Sequence, residues 1–371
     1  MKYCSATGGT TTTAEIEQKL ALLSGVLTTG GLGALRLRGV DWFAWATGGG
    51  SNVVNLAAES GVAEVLVTQT GAWVLTDAIE VERLRHEEVP APYTLQSDPW
   101  AEPARRERFV AVEASGEVAS DRPRGGERAL PVHLVEAKRR LVPAEVERYR
   151  LLARDAAEAV TDVLLAVHPG WTEAAVAGAA AEALWRRGIH PAVTLVGGEA
   201  RLPRYRHPTP TQAPIGRRGM LVVCGRRHGL YANLTRFVSF GGVTPEEAHA
   251  FEVVAGVEAA ALRASRPGAR LDEVFGALVR AYADAGLPGE QLAHHQGGTT
   301  GYLARETVAT PDTTDVLASP TALAWNPSVR GMKIEDTVLT TDAGIEVLTV
   351  DPRWPTVDVD GRARPAVWQR G

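Results

Sequence analysis

The chain has 371 residues, 45% of them hydrophobic and 22% charged, which is ordinary globular composition and excludes a disordered or fibrous protein. A formal charge of −5 gives no global basic field for nucleic acid or an anionic membrane. No apolar run approaches the ~20 residues that span a bilayer, the first 30 residues lack the layout of a signal peptide, and Cys4 and Cys224 are too few for a disulfide framework. These features predict a soluble cytoplasmic protein of two or three domains. Only Lys2, Lys19, Lys138 and Lys333 are lysines, an imbalance against arginine that reads as coding composition.

After a small, polar start, Thr12-Thr13-Ala14-Glu15 has the form of a capping box and predicts a helix ending near Leu27. Strand-like runs follow at Ala34–Leu37, Trp42–Ala46, Glu64–Thr68 and Ala72–Thr76, with a helical stretch predicted at Asn52–Glu59. Another strand is predicted at Arg108–Glu113. Strands interleaved with helices indicate an N-terminal α/β domain, residues 1–128, closed by the linker-like run Asp121-Arg-Pro-Arg-Gly-Gly-Glu-Arg128.

Residues 129–371 repeat internally. A helix–Pro-Gly–helix–Gly pattern around Pro169-Gly170 recurs around Pro267-Gly268, 98 residues on, as do the closing glycines Gly188 and Gly286. Gly197-Gly198 recurs as Gly297-Gly298 at an offset of 100, and the strands at Met220–Val223 and Leu234–Ser239 match Leu323–Trp325 and Asp336–Thr340. The second copy opens on Thr244-Pro245-Glu246-Glu247, an N-cap with Pro at N1 and Glu at N3. The fold class is therefore α+β: two halves related by a pseudo-twofold, their strands expected in one curved sheet with helices outside and a pocket at the seam.

The segments Gly229-Leu-Tyr-Ala-Asn-Leu-Thr-Arg236, His294-His-Gln-Gly-Gly-Thr-Thr-Gly301 and Lys333-Ile-Glu-Asp-Thr337, in this order after His207-Pro208, resemble aminopeptidase P, prolidase and creatinase. The resemblance covers nearly the whole chain and implies a creatinase-like N-terminal domain, a C-terminal pita-bread domain and a homodimer. It also implies a pair of divalent cations held by two Asp, one His and two Glu. Carried over singly, those positions fall on Val222, Asn233, Thr299, Asn326 and Glu335, of which only Glu335 keeps its donor. One carboxylate cannot offset two dications, so no metal and no other cofactor is expected.

The resemblance to creatinase, which cleaves a C–N bond without metal, makes His207 the candidate proton carrier, with Glu335 or Glu306 to orient it or activate water. Tyr231, Asn233, His295, Arg305 and Asn326 are the candidate substrate-binding residues. Strand alternation would send His294 and His295 to opposite faces, and Arg236 or Lys333 would be the ion-pair partner of a buried Glu335. The reading is a metal-independent relative of the Xaa-Pro peptidases that binds, and where catalytic hydrolyses, a small peptide-like, amide or amidine ligand. A non-catalytic peptide- or partner-binding protein and a metal-dependent Xaa-Pro peptidase are the alternatives.

Overall fold

The structure is a computed structural model that describes residues 13–370. Thr12 and Cys4 therefore lie outside the described residues. The chain divides into two compact units, residues 1–148 with 228–230, and residues 149–227 with 231–371.

In the first unit the elements run α1 (Thr13–Gly30), β1 (Ala34–Gly39), α2 (Val40–Ala46), β2 (Ser60–Thr68), β3 (Ala72–Asp77), α3 (Val81–Arg83), β4 (Thr94–Asp98), α4 (Ala104–Glu113), β5 (Val118–Ser120), β6 (Arg128–Ala129) and α5 (Val132–Arg139). The strands form one mixed sheet in the order β4-β3-β2-β1-β5-β6, with Ala34, Leu66 and Leu75 packed against Val110 of α4.

Three local expectations are corrected. Trp42–Ala46 is helical, within α2: every residue from Val40 to Ala46 is buried, so the run has no alternation that would favour a strand, and the Thr47 hydroxyl closes the helix on Phe43 O. Arg108–Glu113 ends α4, where Arg and Glu favour a helix and Phe109 packs edge-on against Trp73. Residues 52–59 are turns, because Ser51 Oγ and Asn55 Oδ1 accept from the backbone two residues ahead and compete with helical bonding.

The run 121–128 is stitched to the first sheet: Asp121 accepts from the backbone of Arg38 and Gly39, and Glu127 pairs with the buried Arg38 guanidinium. The division between units falls beyond it, inside α6 (Pro143–Ala166).

The second unit continues with α7 (Glu173–Trp185), β7 (His190–Gly198), β8 (Arg218–Arg227), β9 (Leu230–Phe240), α8 (Pro245–Ala264), α9 (Leu271–Asp284), β10 (Gly297–Thr300), β11 (Thr307–Val308), β12 (Thr321–Trp325), β13 (Ser328–Val329), β14 (Met332–Lys333), β15 (Asp336–Thr341), β16 (Gly344–Val347), β17 (Thr356–Val359), β18 (Arg362–Pro365) and β19 (Trp368–Arg370). The capping box at Thr244 and Glu247 forms as its residues dictate.

The duplication holds in detail. Glu173 and Ala174 donate to Ala213 O and Thr211 O, and Leu271 and Asp272 repeat the pattern with Asp315 O and Thr313 O. The bridges Thr172–Pro214 and Arg270–Val316 are likewise equivalent.

The strands form two main sheets rather than one, β19-β9-β8-β7 and β11-β10-β12-β15-β16. Among the described residues a single backbone bridge joins them, between Thr235 and Glu335. Thr337 adds a second tie by donating to Asn233 O and accepting from Asn233 N.

The repeated glycine pair marks close backbone approach. Gly297 and Gly298 hold φ of +99° and +154°, and a Cβ on Gly298 would sit 2.0 Å from Thr307 O. We predict that Gly298→Ala costs about 3 kcal/mol through overpacking and strain, read as a lower urea midpoint. An unchanged midpoint would show that β10 and β11 can separate freely.

Candidate functional site

The site occupies the junction of the two sheets in the second unit. Along β9, Tyr231, Asn233 and Thr235 share one face by strand alternation. The Thr235 hydroxyl donates to Glu335 Oε2 at 3.0 Å, and Asn233 Nδ2 donates to Thr300 Oγ1 at 3.1 Å. Thr300 Oγ1 donates onward to Leu303 O, which fixes the amide with its nitrogen toward Thr300. Asn233 Oδ1 is left buried without a partner, as are Asn326 Oδ1 and Thr299 Oγ1.

Glu335 is 1% exposed and saturated by the protein's own cations. Arg305 Nη2 donates to Oε1 at 2.6 Å and Lys333 Nζ lies 3.0 Å from Oε2. Burial opposes the charge, but Lys333 and Arg305 outweigh it and hold the carboxyl down at about 2. Of the two partners expected for Glu335, Lys333 is the one found. Arg236 instead pairs with Asp336 at 2.8 Å, and Asp336 also takes Arg364. Each described lysine is buried against a carboxylate: Lys19 with Glu15 and Glu145, Lys138 with Asp41, and Lys333 with Glu335.

The histidines differ most from expectation. His294 and His295 do not alternate across a strand, because His294 caps a short 3-10 turn (Glu290–Ala293) before β10 begins. Their rings stack instead, with centroids 4.6 Å apart and planes 21° apart. His207 joins them from the loop after β7, its Nε2 2.8 Å from His294 Nε2. Burial lowers all three proton affinities; Lys333 adds the next push on His207 and His294, and Arg305 followed by Lys333 on His295, while Glu335 pulls the other way. His294 falls to about 3 and His295 to about 4, so these two imidazoles are neutral at pH 7. Beside them, a cavity of about 470 Å³ is lined by residues 202–206, Ala293 and Arg330.

The remaining candidates separate. Glu306 clamps the following turn by accepting from the backbone N–H groups of Tyr302 and Leu303. Arg305, expected to clamp a ligand, holds Glu335, though its Nε is buried without a partner. The Tyr231 ring carries Arg226 at 5.9 Å. Asn326 follows β12 and donates its backbone N–H to Gln296 O. Val222 is a core residue of β8. Sequence reasoning missed that Arg305 would join Lys333 on Glu335, and the convergence of His294 with His207. Cys224, also missed, has its thiol pushed up to about 12 by burial and by Glu335, so it is inert.

The five positions that the resemblance assigns to two dications offer an aliphatic side chain, two amides, a hydroxyl and a carboxylate whose oxygens already bind Arg305, Lys333 and Thr235. This donor set does not suit a pair of hard cations. With Lys333 and Arg305 against Glu335, the surplus local charge is positive before any metal arrives.

A family profile for metallopeptidase family M24 matches residues 147–342. The chain belongs to this family. Among solved structures, the prolidase from Pyrococcus horikoshii OT3 superposes with a TM-score of 0.76 at 17% identity, covering 91% of this chain and 99% of that one. The X-Pro aminopeptidase from Thermotoga maritima MSB8 gives 0.75 at 14% identity, covering 95% and 99%. The N-terminal domain of the FACT complex subunit SPT16 from Cicer arietinum gives 0.67 at 11%, covering 91% and 96%. At these identities the likeness establishes the pita-bread fold. No curated protein matches the sequence. No described helix of this M24 member is long and apolar enough to cross a membrane.

Proposed function

We propose that this M24 member works without the metal pair, binding a small peptide-like or amide ligand at the junction of its two sheets and hydrolysing a C–N bond there. The observation that carries the reading is the capture of Glu335 by Lys333 and Arg305. Two fixed cations beside Glu335 can stabilise an oxyanion by preorganised charge. The partnerless Arg305 Nε adds a donor for that oxyanion or for a ligand carboxylate, which the surplus positive charge favours. Asn233 Oδ1 and Asn326 Oδ1 are acceptors for ligand N–H groups.

His207 is exposed and hydrogen-bonded to His294, so it can take a proton from water and return it to the leaving nitrogen. Glu335, held near 2, is too weak a base to activate water, and its role is to position Lys333 and Arg305. Glu306 holds its turn and is assigned no chemistry.

His207→Ala is expected to lower turnover of Xaa-Pro dipeptides or simple amides at least ~100-fold while the thermal midpoint stays within a degree or two. Unchanged turnover in that variant would refute the mechanism. A non-catalytic binding role is the second reading, favoured because both candidate carboxylates are engaged by the protein, Glu335 by Arg305 and Lys333 and Glu306 by backbone N–H groups. It predicts no turnover by the unmodified protein but a ligand-induced rise in melting temperature.

A further inference from the structure

Three imidazoles meet at the edge of the site from two separate loops. His207 comes from the turn after β7 and the His294-His295 pair from the segment entering β10. One nitrogen from each can be chosen so that all three lie within 4.8 Å of one another. Among the described residues none of the three is engaged by a carboxylate within ion-pair distance, and a hydrogen bond between rings joins His207 to His294. His207 and His295 are exposed, so solvent reaches the cluster directly.

We infer that His207, His294 and His295 form a mononuclear transition-metal site with one open coordination position, distinct in residues and in donor chemistry from the family's carboxylate-held pair. Three nitrogens around a tetrahedral zinc or cobalt, each at about 2.0–2.1 Å, stand roughly 3.3 Å apart. The His207–His294 nitrogens, at 2.8 Å, must open by about 0.5 Å, and the longest separation, within 4.8 Å, must close by at most about 1.5 Å. His207 and His295 are exposed, so rotation of their rings is the movement the site calls for. The ring that carries its proton on Nε2 in the His207–His294 hydrogen bond takes the Nδ1–H tautomer by proton exchange with solvent, so each ligating nitrogen offers its lone pair, no net proton is lost and the imidazoles stay neutral.

The charge around the cluster selects the ion and its fourth ligand. Lys333 and Arg305 exceed Glu335 by one positive charge, which disfavours a hard dication that gains little from imidazole. The same surplus favours an anionic fourth ligand, hydroxide or a carboxylate, on an ion bound by neutral nitrogens. Affinity should follow copper above zinc, cobalt and nickel, with manganese weakest. Because His207 becomes a ligand, the bound ion removes it as a proton carrier, and metal occupancy inhibits the metal-free hydrolysis proposed above. Only this last consequence rests on that reading; the binding site itself does not.

Cobalt(II) titration of the full chain, followed by visible absorption, tests the site. One equivalent with the intense bands of tetrahedral cobalt is expected. His295→Ala, at an exposed ring, should weaken binding at least ~100-fold, while Glu335→Gln should leave the stoichiometry at one. Zinc competition should erase the bands. No tetrahedral bands, or a single equivalent unaffected by both His295→Ala and His207→Ala, would overturn the site. Two equivalents lost in Glu335→Gln would overturn it and the metal-pair-independent reading together, whereas one equivalent with no hydrolysis in the apo-protein would sink only the latter.

Discussion

Glu335→Leu should cost about 3–5 kcal/mol of stability, read as a lower urea midpoint, because it strands two cations in the interior. Lys333 is 6% exposed and has no other carboxylate partner within ion-pair distance among the described residues. Arg305 is less confined and can swing toward water. Replacing both members of the pair, Glu335→Leu with Lys333→Met, should therefore recover most of the loss, since a well-packed apolar pair often matches a buried ion pair in stability. A single variant within 1 kcal/mol of the parent would show that Lys333 is solvated, and the central role given to this pair would fail. The pH dependence has a defined sign. With its folded pKa lowered to about 2, Glu335 contributes stability that is fully present above its unfolded value near 4.5 and is lost as pH falls toward 2.

Acid should weaken the fold well before that carboxylate titrates. His294 and His295 are held at about 3 and about 4, against about 6.5 when unfolded, so below pH 6.5 the unfolded chain binds more protons than the folded one. Stability is then full above 6.5 and declines as pH falls from 6.5 toward 4. The groups facing the imidazoles are Lys333, Arg305 and Glu335, together with His207, and none supplies a free carboxylate to reverse this sign. The expected result is a urea midpoint that drops steadily between pH 6.5 and 4.5, with the slope largely removed in His294→Gln. Water screens the exposed His295, so most of the effect belongs to His294. A flat profile in the parent protein would mean that the cluster is not held neutral.

Much of this architecture was legible from residue order. Offsets of 98 to 102 between glycines, Pro-Gly turns and strands were enough to find the duplication, because turn and close-approach positions restrict residue type most tightly. Gly297 and Gly298 show why, each meeting a carbonyl oxygen where a Cβ would lie. The single curved sheet was too simple, since the Thr235–Glu335 bridge and the Thr337–Asn233 tie join two separate sheets. In the first unit, α2 was read as a strand because a seven-residue run buried on all sides carries no period.

Within the site, residue type alone shows that Val222, Asn233, Thr299 and Asn326 carry no carboxylate or imidazole, and their match to the family's ligand positions rests on the resemblance. How the Glu335 charge is neutralised could not be read in full. Lys333 and Arg305 are 28 residues apart, and their meeting on one carboxylate depends on how β14 and the loop after β10 converge. The His294-His295 pair was misjudged for a local reason: alternation applies to strands, and these residues sit on the turn before one.

Metal content after loading is the most direct test of the central claim, that protein cations stand where a dication pair would be balanced. The full chain would be incubated separately with Mn2+, Co2+ and Zn2+, desalted, and analysed for bound metal per chain. The account predicts essentially no manganese, and at most one cobalt or zinc that disappears in His295→Ala. About two ions of any of these metals per chain would contradict it and return a metal-dependent Xaa-Pro peptidase to first place.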